Sequence, residues 1–173
     1  MAAWVLSLLI FLQPDAPWRA SYEEETARAI ATAAEHAEPL FPGPDGRARA
    51  AALLVAVAYH ESRFDPNAVG DGGRSFGLFQ HQRGGASNFA ATVAAPRALE
   101  TMRGSMNACR ARPAEERLAA YASGRCDRGL AASRARLSLG RALLAGHPPP
   151  APIPTPPSPH EAPRGPTPAR SAP

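Results

Sequence analysis

Glu61 is the residue whose setting most suggests chemistry. It follows Val57 by four positions, Leu54 by seven and Leu53 by eight. On a helix, those spacings set its carboxylate on the apolar stripe rather than the solvated face. It also falls in the last turn, where the negative end of the helix dipole disfavours a second negative charge. Desolvation and dipole both raise the pKa of a carboxyl group. A carboxylic acid kept protonated near neutral pH is what a general acid requires. The competing reading is a helix-end glutamate turned to solvent or paired with Arg63, and spacing leaves both open.

The other chemistry-bearing residues form weaker patterns. His60 precedes Glu61, but a zinc-protease helix needs a second histidine three positions after the glutamate, and position 64 is Phe64. His81 lacks ligand spacing to His60. The run Gly70-Asp71-Gly72-Gly73 lacks the Lys-Ser/Thr ending of a phosphate-binding loop. No G-x-S-x-G elbow is present. Cys109 and Cys126, seventeen positions apart, have no histidine pair between them, which makes a poor zinc site. They are either a disulfide or two buried thiols; in an exported chain the disulfide is expected. Neither a metal nor an organic cofactor is expected.

These residues must be carried by a mainly helical framework. Alanine is abundant and aromatics are 6%, which favours close-packed helices over a broad sheet. Ser21-Tyr22-Glu23-Glu24 reads as a capping box, followed by Ala27, Ile30, Ala31 and Ala34 on one face. Pro39 and the stretch Pro42–Gly46 break that helix. Asp45 is placed to cap the next, with Ala50, Leu53, Leu54, Val57 and Ala58 as its apolar residues and Pro66 as its end. A glycine-rich loop, Val69–Ser75, leads to Phe76–Gln80, a short strand or hairpin arm. Pro96 suits the first turn of a third helix, and Pro113 that of a fourth, closed by Gly124. Asp127 is expected to cap a fifth, ending at Gly146. The fold class expected is α+β, predominantly α.

The 173 residues suit one domain. With 45% hydrophobic and 20% charged residues, a packed core is expected. All nineteen cations are Arg, and the net charge is +4. That charge is too small and evenly spread to diagnose an anionic polymer, and no nucleic-acid partner is expected. No apolar run reaches the roughly 18 residues of a membrane-spanning helix. Met1–Leu12 has the length of an export-signal core, yet no cation precedes it and no clean cleavage site follows. It reads either as an export signal or as the first apolar helix of a mis-started chain. The segment from His147 to Pro173 has twelve Pro in 27 residues and is expected to be a disordered tail. The expected division is a signal-like segment and linker at 1–20, a domain at 21–146 and a tail at 147–173.

Glu61–Gln80 reads ESRFDPNAVGDGGRSFGLFQ. It resembles the lysozyme-like lytic transglycosylases (the soluble transglycosylase catalytic domain), whose signature runs E-S-x-F-x-P-x-A, a Gly-rich turn, then G-L-x-Q. The matching residues are Glu61, Ser62, Phe64, Pro66, Ala68, Gly77, Leu78 and Gln80. A second block, Ala120-Tyr121-Ala122-Ser123-Gly124, is similar to that family's A-Y-N-x-G motif, with Ala122 where the family usually has Asn. The likeness spans roughly Arg47 to Leu144. The loop before Gly77 is one residue longer than the commonest spacing, and its G-D-x-G pattern is closer to goose-type lysozymes.

The resemblance implies a lysozyme-like domain with a small hairpin beside the active-site helix, acting on peptidoglycan glycan strands. Glu61 is then the single acid/base, Ser62 orients it or the substrate, Gln80 binds sugar, Phe79 forms an apolar wall and Tyr121 places its hydroxyl nearby. Asp71 is the candidate second carboxylate of a goose-type hydrolase, or an ordinary turn residue. A transglycosylase uses the sugar's own C6 hydroxyl and no external water, whereas an inverting hydrolase needs a base about 6.5–9.5 Å from the acid. The transglycosylase is the favoured expectation. A wall-binding component of a secretion, conjugation or phage-entry machine, with little activity, is the alternative of another class. A monomer in the periplasm, or secreted, is expected.

Overall fold

The computed structural model describes residues 1–14, 19–82 and 85–151. Six helices make up its framework: α1 (Ala2–Leu12), α2 (Arg19–His36), α3 (Gly46–Ser62), α4 (Ala91–Ala108), α5 (Ala119–Ser123) and α6 (Leu130–Gly146). One antiparallel hairpin follows α3. Its strands are β1 (Val69–Gly70) and β2 (Ser75–Phe76), with Val69 opposite Phe76 and Gly70 opposite Ser75. The fold is therefore predominantly α in an α+β arrangement, as expected.

α3 is the centre. Every residue from Ala50 to Ala58 is buried, so the helix is apolar all round, as an enclosed helix must be. The stripe expected on it is not a stripe, because α1, α2, α4 and α6 all pack against it. Small residues permit the closest of these approaches. A side chain at Gly140 of α6 would stand 3.4 Å from the Leu53 Cα. Ala27, Ile30, Ala31 and Ala34 of α2 are buried, on the face the spacing indicates.

The termini of the helices depart from expectation in several places. α2 begins at Arg19, two residues before the expected Ser21 cap. Pro96 lies inside α4, not in its first turn. The carbonyl that its missing N–H leaves free belongs to the exposed Thr92, so water can satisfy it and the helix continues. Pro113 opens a 3₁₀ turn, Ala114–Glu116, and the expected fourth helix is reduced to the five residues of α5. Asp127 does not cap α6. It accepts a bidentate pair from Arg125, at 2.9 and 2.8 Å, while Gly129 in the left-handed region takes the cap position. A local ion pair captures this carboxylate before the helix begins.

The expected boundary after residue 20 does not separate α1 from the core. Trp4, Val5, Leu8 and Leu9 are buried among the other helices. The Trp4 indole N–H donates to the His147 carbonyl at 2.8 Å, and the Phe11 ring packs at a tilt of 57° against the His147 ring. Apolar area removed from water drives this seat. The end of α6 thus holds the start of the chain. The linker residues 15–18 and most of the Pro-rich segment, 152–173, lie outside the described residues. No helix among the described residues is long and apolar enough to cross a membrane.

If α1 belongs to the folded protein, deleting its core methyls must cost stability. Leu8 is fully buried, so Leu8→Ala in the full chain is expected to lose about 2–5 kcal/mol. Urea denaturation reads this directly, and an unchanged midpoint would remove α1 from the core.

Candidate active site

Glu61 stands in the last turn of α3, beyond the enclosed stretch, with its side chain 17% exposed. Its partner comes from α6: Arg136 Nη2 donates to Glu61 Oε1 at 2.6 Å, and the Arg136 side chain is only 10% exposed. Arg63, the partner weighed from sequence, instead lays its guanidinium over the Tyr59 ring at 4.1 Å. Burial raises the Glu61 pKa above the usual carboxyl value; the charge and hydrogen bond of Arg136 oppose this, and the Asp71 charge adds to it. The expected desolvation is present, and the counter-ion is the new element.

The chain after Glu61 is sharply bent. Arg63 and Phe64 both have positive φ, as do Asp71 and Gln80, and these are the four non-glycine residues so placed among those described. Strained backbone of this kind persists only where its surroundings hold it. Ser62 supplies part of that hold: its hydroxyl lies 2.9 Å from the Leu78 carbonyl and 3.2 Å from that of Ala58. It therefore ties the end of α3 to the loop after the hairpin. Phe64 is buried against Tyr59. Asp65 accepts the Asn67 N–H at 2.8 Å, closing the turn around Pro66.

The Gly77–Gln80 turn closes on its own backbone. Gly77 N–H donates to the Ala68 carbonyl at 2.8 Å, and Gln80 N–H to Gly77 at 3.1 Å. The Gln80 side-chain amide spends both N–H groups internally, on Ala68 at 3.1 Å and Gly77 at 3.0 Å. Gln80, expected to bind sugar, is here a clasp across the loop. Phe79, expected as an apolar wall, is 1% exposed and sits in the core beside Leu78. His81 is buried too and bonds the Ala94 carbonyl at 3.2 Å through Nε2, which requires the proton on that nitrogen. Burial, first among the causes, keeps its pKa below the usual histidine value.

Tyr121 joins the second motif to the first. Its hydroxyl donates to the Phe79 carbonyl at 3.1 Å across 42 positions. Burial first, and then the Glu61 charge, push that hydroxyl well above its ordinary pKa, so it remains a neutral donor within the field of Glu61. Two serines set α5 in place. Ser105 of α4 accepts the Tyr121 N–H at 2.9 Å and donates to Arg117, while Ser133 of α6 accepts the Leu118 N–H at 3.0 Å and donates to Glu115. They satisfy N–H groups that a one-turn helix cannot satisfy itself. Cys109 and Cys126 form the expected disulfide across this segment, with Cα atoms 5.4 Å apart.

Asp71 lies in the exposed hairpin turn. Its carboxylate accepts from Ser75, and its backbone carbonyl from Arg74 at 3.0 Å. The Ser75 bond first, then one from Gln82, hold its pKa below the usual carboxylate value. His60 is exposed, and its pKa is also lowered, by partial burial and then by Arg136 and Arg63. Among the described residues no three His, Cys, Asp or Glu groups are placed to hold a metal.

Arg136 escaped the sequence reading although its signal resembled that of Glu61. Ser133, Arg136, Leu137, Gly140 and Leu143 recur at helical spacing and are all buried in α6. A cation on an apolar stripe needs a partner just as an anion does. Two cavities of about 590 and 570 Å³ lie elsewhere, and neither is lined by Glu61. The chain matches no family model, no curated protein and no solved structure.

Gly77 is the hinge on which this loop turns. Its φ is +73°, and a Cβ there would overlap the Asn88 carbonyl. Gly77→Ala is expected to cost at least about 1–3 kcal/mol from the backbone conformation alone. The overlap adds to that loss, and chemical denaturation measures the sum.

Proposed function

We propose that the chain is a lysozyme-like peptidoglycan lytic transglycosylase. It cleaves the β-1,4 bond after N-acetylmuramic acid and leaves 1,6-anhydro ends. The observation that supports this best is the convergence on Glu61: Tyr121, from the second motif, bonds the Phe79 carbonyl of the first, with its hydroxyl sensing the Glu61 charge. Residues alike in type to the family's two motifs are thus joined by a hydrogen bond, with Tyr121 in the field of a carboxyl group whose pKa is raised by burial.

The chemistry needs one carboxyl group used twice. Protonated Glu61 gives its proton to the glycosidic oxygen as the bond to C1 breaks and oxocarbenium character develops. The carboxylate then takes the proton of the C6 hydroxyl as that oxygen bonds to C1. No water is consumed, and Glu61 ends protonated as it began. Asp71 argues against a hydrolytic variant, since a carboxylate held low by two hydrogen bonds is a weak base. The disulfide suits an exported, periplasmic or secreted enzyme.

Glu61→Gln keeps the side-chain volume and removes the proton. It is expected to lower cleavage of purified peptidoglycan by about 10²–10⁴-fold or more, with helical circular dichroism retained. Cleavage at the parent rate would remove Glu61 from the acid role. Asp71→Asn is expected to retain most of the rate, against the loss of about 10²–10⁴-fold that removal of an essential base causes. Mass spectrometry should find parent products lighter by one water than hydrolytic ends. Reducing ends, with collapse of the Asp71→Asn rate, would establish a goose-type hydrolase instead. Binding of glycan without cleavage by the parent would establish a wall-binding component.

A further inference from the structure

We propose that Arg136 is a positioning latch on Glu61, holding its carboxylate through Nη2 in the free protein and releasing it when a glycan chain occupies the site. This rests on the transglycosylase reading and adds regulation of the same residue. In the paired state Glu61 Oε1 already accepts a bond of 2.6 Å from Arg136. That bond leaves only Oε2 to carry a proton, and a proton there would cancel the negative charge that Arg136 is paired with. Protonating Glu61 would leave a guanidinium that is 10% exposed without its counter-ion, a costly outcome for a buried charge.

The guanidinium is not fully satisfied where it stands. Its Nε is buried and finds no acceptor among the described residues. Nε itself is enclosed, so sugar hydroxyls and acetamido carbonyls would have to engage the Nη groups that now hold Glu61, while their bulk excludes water from that carboxyl group. Released from Arg136 and further desolvated, Glu61 takes a proton from solvent and becomes the acid. On bond cleavage that proton passes to the glycosidic oxygen, and the carboxylate then takes the C6 hydroxyl proton as that oxygen bonds to C1; when the product leaves, Glu61 gives this proton back to solvent and pairs with Arg136 again. The remaining groups around Glu61 do not duplicate this role. Asp71, from the hairpin, is a like charge, and Tyr121, from α5, is neutral with its hydroxyl engaged on Phe79. On α3 itself, His60 is exposed and kept neutral toward lower pH, and Arg63, just past its end, lies on Tyr59.

The test follows the ¹³C resonance of the Glu61 carboxyl group through a pH titration, beside the pH profile of kcat/KM. Removing the charge in Arg136→Gln is expected to raise the Glu61 midpoint by about one to three pH units, the range set by a neighbouring opposite charge. Because the protonated form is the active one, the alkaline limb of kcat/KM should move up by the same amount. Arg136→Lys keeps the charge and should stay near the parent. In the unaltered protein, saturation with an N-acetylglucosamine tetramer should raise the midpoint without any substitution, which decides the matter even if the variants fold poorly. A midpoint unmoved by the bound tetramer, or unmoved in folded Arg136→Gln, overturns the latch. A midpoint that rises in Arg136→Gln while the parent cleaves no peptidoglycan overturns the transglycosylase reading and keeps the hold of Arg136 on Glu61. A parent that binds no tetramer overturns release by glycan.

Discussion

The ion pair between Glu61 and Arg136 is the constraint around which the rest of the structure is arranged. Each charge is mostly removed from water, and each would be strongly unfavourable there alone. Removing one partner of such a pair typically costs about 3–5 kcal/mol, because the other is left buried. The pair forms because α6 packs along α3, with Gly140 near enough to Leu53 that an added Cβ would be in ordinary van der Waals contact with it. The alanine-rich composition thus matters to the chemistry as well as to the packing.

A second constraint is the tight backbone after α3. The chain leaves the helix through two consecutive positive-φ residues, turns through the hairpin and returns through Gly77 and Gln80. Its polar groups are almost all consumed within the loop: Ser62 on Leu78, Gln80 on Ala68 and Gly77, Asp71 on Ser75. Leu78 and Phe79 anchor the turn in the core. The loop is consequently a rigid shelf beside Glu61, and rigidity of this kind is what holds a reacting group in place.

The third element, α5, is too short to stand by itself and is held from outside. Ser105 and Ser133, on two different helices, bond its first N–H groups. The disulfide then closes the segment behind it. Tyr121 gains its position from these supports, so residues far from Glu61 in sequence determine where its hydroxyl lies.

Much of this was legible in the amino-acid order, and the missing parts share a physical cause. Local rules located α3, its half-buried glutamate and the end of α6 at Gly146, because helix periodicity and caps act over a few residues; they made Val69–Ser75 a loop and Phe76–Gln80 the strand or hairpin arm, whereas the strands are Val69–Gly70 and Ser75–Phe76 and Gly77–Gln80 is a turn. The same rules misplaced the caps at Ser21 and Asp127 and the roles of Pro96 and Pro113. At Asp127 a rival close in sequence, Arg125, outweighed the propensity, and at Pro96 access of the Thr92 carbonyl to water did. Phe79 and Gln80 were read as facing sugar, yet the tertiary structure spends the first on the core and the second on its own loop. Burial of α1 and the meeting of Arg136 with Glu61, 75 positions apart, were settled only by packing. The sequence by itself determined which residues carry charge and which segments are helical, since those depend on neighbours within a turn or two. Which charge faces which depends on helices brought together across the whole chain, and only the tertiary structure decided that.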